Sequence, residues 1–354
     1  MRNLRTGERK EEETCGLFVS VTDGLAMPSL SPLRSRIVAA DPATLEARLP
    51  PRFRSPPPPV RAAKRSGPPS LTPYLFLVPA FLVFGGFIIY PLIDGVATAF
   101  TDRVIARGGQ FVGFDNFVAL FGDEIFLRAA WNSLGLTLTV VAIKAVLGMI
   151  FALVLAQPLP FRGLFRALVF LPWAVPGLIA GLAWKWIYDE QVGVLTYLTL
   201  ALGLAETPTY WLSDPKVGLI SVGIAMVWHG LPFYTMMFLA ALTSIPAELT
   251  EAAAIDGAGP FRRFFSVTLP QMRNVIAITV MLSTIWTFNS FHMVYVLTQG
   301  GPANRTQILP TLAFEYGIVR SQLGLGAAVL VSVIPIFLVL IYILTQRMLN
   351  KEGE

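Results

Sequence analysis

The chain has 354 residues, of which 54% are hydrophobic and 14% are charged, and its mean hydropathy is +0.63. This composition is too apolar for an average soluble domain and predicts a protein that spans a membrane several times. The net charge of +5 requires no nucleic-acid partner, because membrane topology and anionic lipid account for a modest basic excess. A single cysteine, Cys15, excludes an intramolecular disulfide.

Residues 1–70 differ in composition from the rest of the chain. They are rich in Arg, Glu, Ser and Pro, include a run of four prolines from Pro56, and show no sustained hydrophobic period. These features predict a disordered cytoplasmic tail. The apolar stretch that starts at Cys15 is too short for the core of a secretory signal. Met27 is an alternative start, which would shorten this tail.

Residues 71–350 are predicted to form an all-α membrane domain. Apolar stretches that can cross about 30 Å of hydrocarbon as helices alternate with short polar loops. About six spans are expected, near residues 74–100, 131–156, 167–187, 217–242, 275–297 and 325–342. Prolines within or beside these stretches, such as Pro176 and Pro232, predict kinked helices around a cavity.

Basic residues flank the expected spans asymmetrically. One set of loops and ends carries an excess of Lys and Arg, namely Arg61, Lys64, Arg65, Arg162, Arg166, Arg262, Arg263, Arg273, Arg347 and Lys351. In the alternate loops, basic residues are balanced by acidic ones. The positive-inside rule therefore predicts that both termini are cytoplasmic.

A polar segment, residues 246–272, interrupts the apolar chain on the side expected to be cytoplasmic. It opens with a proline, which suits the first turn of a helix, and Gly257 suits the left-handed residue that ends one. Pro260 can begin a second short helix, and Leu269-Pro270 is expected to end it. The segment is thus predicted to form a helix-turn-helix at the membrane surface.

This segment resembles the EAA loop of permease subunits in binding-protein-dependent ABC importers. The family pattern is Glu-Ala-Ala, three residues, Gly, nine residues, Ile, any residue and Leu-Pro, and Val267 in place of Ile is the only departure here. The ATPase-coupling residues that the resemblance implies are Glu251, Ala252, Ala253, Asp256, Gly257, Leu269 and Pro270. An amphipathic helix that merely joins two spans is the alternative interpretation.

In the family, this loop is a coupling helix that docks in a cleft of the ATPase subunit. The resemblance implies that Glu251 and Asp256 make polar contacts, that Ala252 and Ala253 form a close-packing face, and that Gly257 makes the turn. The partners it implies are two cytoplasmic ATP-binding subunits, a second permease in a heterodimer, and an extracytoplasmic solute-binding protein. The implied location is the inner membrane of a bacterial or archaeal cell.

Several shorter stretches are similar to the carbohydrate-type permeases of this family. They begin at Phe111 (FVGFDNF), Phe170 (FLPWAVP), Ile255 (IDGA) and Gly300 (GGP). The resemblance implies the fold of a type I importer permease and a cargo that is a carbohydrate or a related polyol. Glycerol phosphate or another small solute is the alternative cargo.

Other function classes find less support in the sequence. A gradient-driven carrier normally needs buried carboxylates, and Asp94 is the only acid clearly within the expected spans. The chain has no G-x-x-x-x-G-K-[ST] phosphate loop and no H-E-x-x-H pair. We therefore expect no catalytic residues, no cofactor and no metal, and we expect ATP hydrolysis to be performed by a partner chain.

Polar and aromatic residues within two spans are candidates for the substrate path. These are Trp228, His229, Tyr234, Asn289, His292 and Tyr295. Sugar hydroxyls need directional donors and acceptors, and sugar rings pack on aromatic faces. The alternative is that each of these side chains hydrogen-bonds only between helices.

Lys144 falls near the centre of the second span, where an unpaired ammonium is costly. It could neutralise an anionic substrate, or it could pair structurally with a carboxylate of another subunit; we favour the structural interpretation. Lys185, between Trp184 and Trp186, is typical of an interfacial anchor and needs no further function.

Overall fold

The computed structural model describes residues 72–349, so the predicted tail of residues 1–70 lies outside the described residues. Helices dominate the described part, and its only extended pairings are isolated bridges such as that between Thr101 and Phe111. The helices are α1 (residues 72–98), α2 (Asp115–Phe121), α3 (Glu124–Ala156), α4 (Arg162–Ala174), α5 (Gly177–Ile187), α6 (Val194–Ala201), α7 (Gly218–Ser244), α8 (Ala247–Ile255), α9 (Pro260–Phe288), α10 (Phe291–Leu297), α11 (Leu309–Val319), α12 (Leu323–Val331) and α13 (Ile334–Leu349).

Four of these helices, α1, α3, α7 and α9, are each long and apolar enough to cross a membrane. The expected third span is a bent pair, since α4 and α5 meet at an angle of 95°. Pro176 lies at this bend, where its ring prevents a continuous helix. The expected fifth span also divides, because α9 ends at Phe288 and α10 begins at Phe291. The expected sixth span is interrupted between α12 and α13.

Two long helices pass through prolines by widening the preceding turn. In α1 a π-helical turn, Gly85–Ile89, precedes Pro91, and in α9 a similar turn, Phe264–Thr268, precedes Pro270. A proline ring clashes with the carbonyl four residues earlier, and in both helices that carbonyl falls within the widened turn. The prediction that Leu269-Pro270 ends a helix is therefore wrong.

The centre of the fold is the pair α3 and α7, which pack along much of their length. Gly148 permits this closeness, because a Cβ there would lie 2.5 Å from the Cβ of Tyr234. Three apolar clusters follow one another along α3, around Phe126, Val140 and Leu155. With 33 residues, α3 is about 50 Å long, which suits a helix that spans the bilayer and organises its neighbours.

Helix α1 stands apart from this packed centre. None of the residues in its membrane-spanning window is buried, and its contacts are made near its C-terminal end against α12. Pro91, Leu92 and Gly95 of α1 there border a largely apolar cavity of about 560 Å³. Most of the apolar surface of α1 is therefore available to lipid or to another chain.

Candidate functional site

The EAA turn, which we define as residues 247–261, consists of α8, a glycine turn and the start of α9. Its turn is a Schellman motif: the amide of Ala258 donates to the carbonyl of Ala253 at 3.0 Å, and that of Gly257 donates to Ala254 at 3.1 Å. Gly257 has φ of +79°, a value that side chains with a Cβ rarely adopt. The sequence prediction of a left-handed stop at Gly257 is confirmed.

The surface of the EAA turn combines acidic and apolar side chains. Glu251 and Asp256 are exposed, and so are two large apolar side chains, Ile255 at 87% and Phe261 at 82%. Ala252 is exposed and Ala253 is partly buried. Small residues beside exposed apolar groups let another protein surface approach closely.

Helix α9 connects the EAA turn directly to the interior of the fold. It begins at Pro260 and continues without a break to Phe288, 29 residues or about 43 Å. Because a continuous helix is stiff along its axis, a displacement of the EAA turn moves the far end of α9 as well. Ser283 and Thr287 lie at that far end and are buried.

These two hydroxyls border a cavity of about 280 Å³, which we name the histidine cavity. It is formed where α3, α4, α7, α9 and α10 meet, and its lining residues are Lys144, Trp173, Met226, His229, Gly230, Phe233, Ser283, Trp286, Thr287, Ser290, His292 and Met293. The lining thus combines hydroxyls and imidazoles with three aromatic rings. Such a wall can hold a solute that has both polar and apolar faces.

The two histidines tie the cavity to the bend between α4 and α5. His229 Nε2 lies 3.1 Å from the carbonyl oxygen of Val175, the residue that follows α4. A carbonyl can only accept, so Nε2 carries the proton in this contact. His292 packs against Gly177, where a Cβ would lie 2.3 Å from its Nε2. Movement of the bend would therefore alter the cavity wall.

Lys144 is the buried cation of the histidine cavity, with 5% of its surface exposed. Its Nζ donates to the Thr287 Oγ1 at 2.8 Å and lies 5.8 Å from the centroid of the Tyr234 ring. Among residues 72–349, the ion pairs within 4.0 Å join Arg103 to Asp94 and Arg320 to Glu315, so neither involves Lys144. Its charge is balanced by dipoles rather than by a carboxylate of the described chain.

Comparison with known proteins identifies the family to which this chain belongs. Residues 144–352 match the family model of the binding-protein-dependent transport system inner membrane component. The chain belongs to this family. It is thus a permease subunit, a transport component of the inner membrane, as the resemblance of the EAA segment implied.

Relatives of this permease are permease proteins of transport and uptake systems. The trehalose/maltose transport system permease protein MalF of Thermococcus litoralis is 35% identical over 268 residues, which cover 75% of this chain and 89% of that protein. The diacetylchitobiose uptake system permease protein DasB of Streptomyces coelicolor is 33% identical and covers 83% of this chain and 91% of its own length. The sulfoquinovosyl glycerol transport system permease protein SmoG of Agrobacterium fabrum is 32% identical, and the match covers 73% of this chain and 83% of that protein.

A solved structure shares the fold of this permease. It is the bacterial ABC transporter involved in the import of the acidic polysaccharide alginate, with a TM-score of 0.69 and 23% identity. The match covers 78% of this chain and 94% of the other. The expectation of an all-α, type I importer permease fold is thereby confirmed.

The structure brings together only two of the six predicted path residues of the permease, His229 and His292. Trp228 faces another groove, of about 850 Å³, where it packs edge-on against Trp184 with ring centroids 5.7 Å apart. Tyr234 is fully buried against Phe238. These two side chains lie outside the lining of the histidine cavity.

The remaining two predicted path residues lie near the ends of α9 and α10. Asn289 follows α9, donates from Nδ2 to the carbonyl of Ile285 at 2.8 Å and borders the 560 Å³ cavity instead. Tyr295 stacks on Phe291, with centroids 5.0 Å apart and planes inclined by 19°. Their assignment to the substrate path stays a prediction that the geometry does not favour.

Two hydroxyl-bearing residues of the histidine cavity, Ser283 and Thr287, were not predicted from the sequence. Ser283 and Thr287 are four positions apart, which places them on one side of α9, and Ser290 follows just after that helix ends. A row of three small polar residues in an apolar span was the signal that could have revealed them.

Proposed function

We propose that this permease forms part of an ATP-driven importer that moves a carbohydrate or a related polyol inward through the histidine cavity. The cavity lining carries the proposal, because hydroxyl and imidazole groups can bind sugar hydroxyls while Trp173, Phe233 and Trp286 can pack on sugar rings. The names of the relatives from Thermococcus, Streptomyces and Agrobacterium, all of which refer to saccharides or a glycoside, support the same cargo class.

ATP hydrolysis is assigned to two cytoplasmic partner subunits, each docking on one EAA turn. Ile255 and Phe261 would enter an apolar groove, with Glu251 and Asp256 as polar contacts at its edge. This assignment requires the EAA turn, the N-terminus and the C-terminus to lie on the cytoplasmic side, in accord with the distribution of Lys and Arg. No cofactor of the permease itself enters the scheme.

A second, related permease completes the membrane part of the complex, and an extracytoplasmic binding protein delivers the cargo. The unburied surface of α1 supports the second permease, because a spanning helix with so few contacts gains stability by packing against another chain. We assign a heterodimer on the resemblance to carbohydrate importers.

The transport cycle is alternating access driven by the EAA turn. When the ATPase subunits close on ATP, they draw the two EAA turns together, and the continuous α9 carries this displacement to Ser283 and Thr287. The bend between α4 and α5, held by His229, changes with it. The cavity is thereby exposed in turn to the two sides of the membrane.

The function is tested by ATP-dependent uptake in proteoliposomes that contain the permease and its co-encoded partners. Glu251→Lys should abolish uptake and release the ATPase during purification, because the docking surface acquires the wrong charge. Glu206→Lys makes the same charge change in the exposed loop between α6 and α7 and should leave both unchanged. Uptake that persists without ATPase subunits, driven by an ion gradient, would reject the proposal in favour of a secondary transporter.

A further inference from the structure

The ionisable side chains that line the histidine cavity are all basic. Its titratable lining residues are Lys144, His229 and His292. Its other polar side chains are the hydroxyl-bearing Ser283, Thr287 and Ser290, together with two tryptophans whose indole N–H groups can only donate. Among residues 72–349, no Asp or Glu lines this cavity. A neutral sugar needs acceptors for its many hydroxyl protons as well as donors, and carboxylates are strong acceptors. This lining instead offers a full positive charge to whatever enters.

The ammonium of Lys144 has unused hydrogen-bonding capacity. It carries three N–H donors, and the Thr287 hydroxyl accepts one of them. Gly230 leaves room for it, because a Cβ at that position would lie 3.0 Å from Nζ and 2.8 Å from Cδ. The side chain is therefore held between α7 and α9 at the cavity wall, with donors left for a ligand.

Burial of the Lys144 ammonium costs desolvation free energy, which a bound anionic ligand would offset. A lysine with only 5% of its surface exposed loses most of the hydration of its ammonium, and hydroxyl dipoles with one aromatic ring recover only part of that loss. An anionic oxygen of a solute would recover much more, since a charge-assisted hydrogen bond is about twice as strong as a neutral one. The cavity thus favours an anion over a neutral molecule of the same shape.

We propose that Lys144 binds an anionic oxygen of the cargo, so that this permease carries an acidic carbohydrate with a carboxylate, sulfonate or phosphate group. The inference rests on the proposed function, whose cargo it narrows to one class. Thr287 acts as a positioning residue, because its hydroxyl holds the ammonium at the cavity wall. The aromatic rings then face the uncharged remainder of the sugar.

The test measures ATP-dependent uptake of three labelled probes by the complete complex in proteoliposomes: maltose, digalacturonate and sn-glycerol 3-phosphate. We expect uptake of at least one acidic probe to exceed that of maltose. Lys144→Met should lower that uptake by about tenfold or more, because a desolvated charge pair is lost, and Lys144→Arg should retain most of it. Lys185→Met removes the same charge from an exposed lysine outside the cavity and should have no effect.

The outcomes separate this inference from the function on which it rests. ATP-dependent uptake of maltose alone, or equal loss of maltose and acidic probes in Lys144→Met, overturns the anionic cargo and leaves the importer standing. Loss of the second permease from the Lys144→Met complex also overturns it, because Lys144 would then be a subunit contact. Failure of all three probes to enter with ATP counts against the importer itself.

Discussion

The EAA turn and the histidine cavity are joined by α9, yet they are built in different ways. The turn is local: α8, Gly257 and the start of α9 are consecutive in the chain, and backbone bonds between near neighbours hold them. The cavity gathers residues that are up to 149 positions apart, from Lys144 to Met293. A local device can dock the same kind of partner in many proteins, whereas an assembled cavity can change its cargo through single side chains.

The largest effect is expected from breaking the turn itself. Gly257→Val places a β-branched residue at φ of +79°, with a strain of about 1–2 kcal/mol that the exposed turn can relieve only by unwinding. We expect ATP-dependent uptake to be abolished while insertion and folding persist. Retention of the ATPase during purification, together with uptake, is the measurement.

Gly259→Val is the matched control for this change. Gly259 has φ of −66°, which any residue can adopt, and no atom of the described residues lies within 4 Å of a Cβ built there, apart from Gly259 and its two chain neighbours. Gly259→Val keeps the left-handed turn at Gly257, so ATPase binding and uptake should stay well above those of Gly257→Val. If Gly257→Val binds the ATPase as well as Gly259→Val does, the left-handed turn is not required for docking.

The next effect concerns the packing that supports the cavity. Gly148→Ala brings a Cβ to within 2.5 Å of the Cβ of Tyr234 and forces α3 and α7 apart, at a cost of about 1–3 kcal/mol. We expect a lower midpoint of thermal unfolding in detergent. Gly135→Ala lies on the same helix, where a Cβ meets no atom of residues 72–349 within 4 Å apart from its immediate neighbours in that helix, and it should not lower the midpoint. Equal midpoints for the two variants would contradict the close α3–α7 contact.

The smallest effect is expected from removing one hydroxyl of the histidine cavity, compared with removing a polar group just outside it. Ser283→Ala removes a buried hydroxyl from the cavity, and a lost hydrogen bond of about 0.5–1.5 kcal/mol corresponds to a rise in the KM for uptake of about two- to tenfold. Asn289→Ala changes a residue that borders the other cavity, so its KM should stay within about twofold. The reverse pattern would return the substrate path to Asn289.

The same comparison explains what the sequence could reveal. The turn was predictable to the residue, because Gly257 and the spacing around it encode a local conformation. The spans were predictable from apolar length and a kink at Pro176 was expected, but the size of that bend, 95°, and the breaks after Phe288 and Val331 were not predicted. Packing against neighbouring helices decides whether a proline kinks, breaks or merely widens a helix, as the contrast between Pro176 and Pro270 shows.

The site was only partly predictable for a related reason. His229 and His292 were recognised as polar residues within spans, but which of six such residues share one cavity depends on the rotation of each helix. Tyr234 is an example of this dependence. It lies close to Pro232 in α7, where the sequence predicted an open cavity, but its side chain is buried in the packed core. Periodicity gives the faces of a helix, and only its neighbours determine which face is open.

We propose that the ATPase docks on the EAA turn, on the side of the membrane opposite the loop after α5. Photo-cross-linking from a residue placed at Ile255, compared with one at Val192, tests it most directly, since the two positions are almost equally exposed at 87% and 86%. We predict that position 255 cross-links to the ATPase subunit and position 192 does not. Cross-links from position 192, with none from position 255, would contradict both the docking surface and the topology.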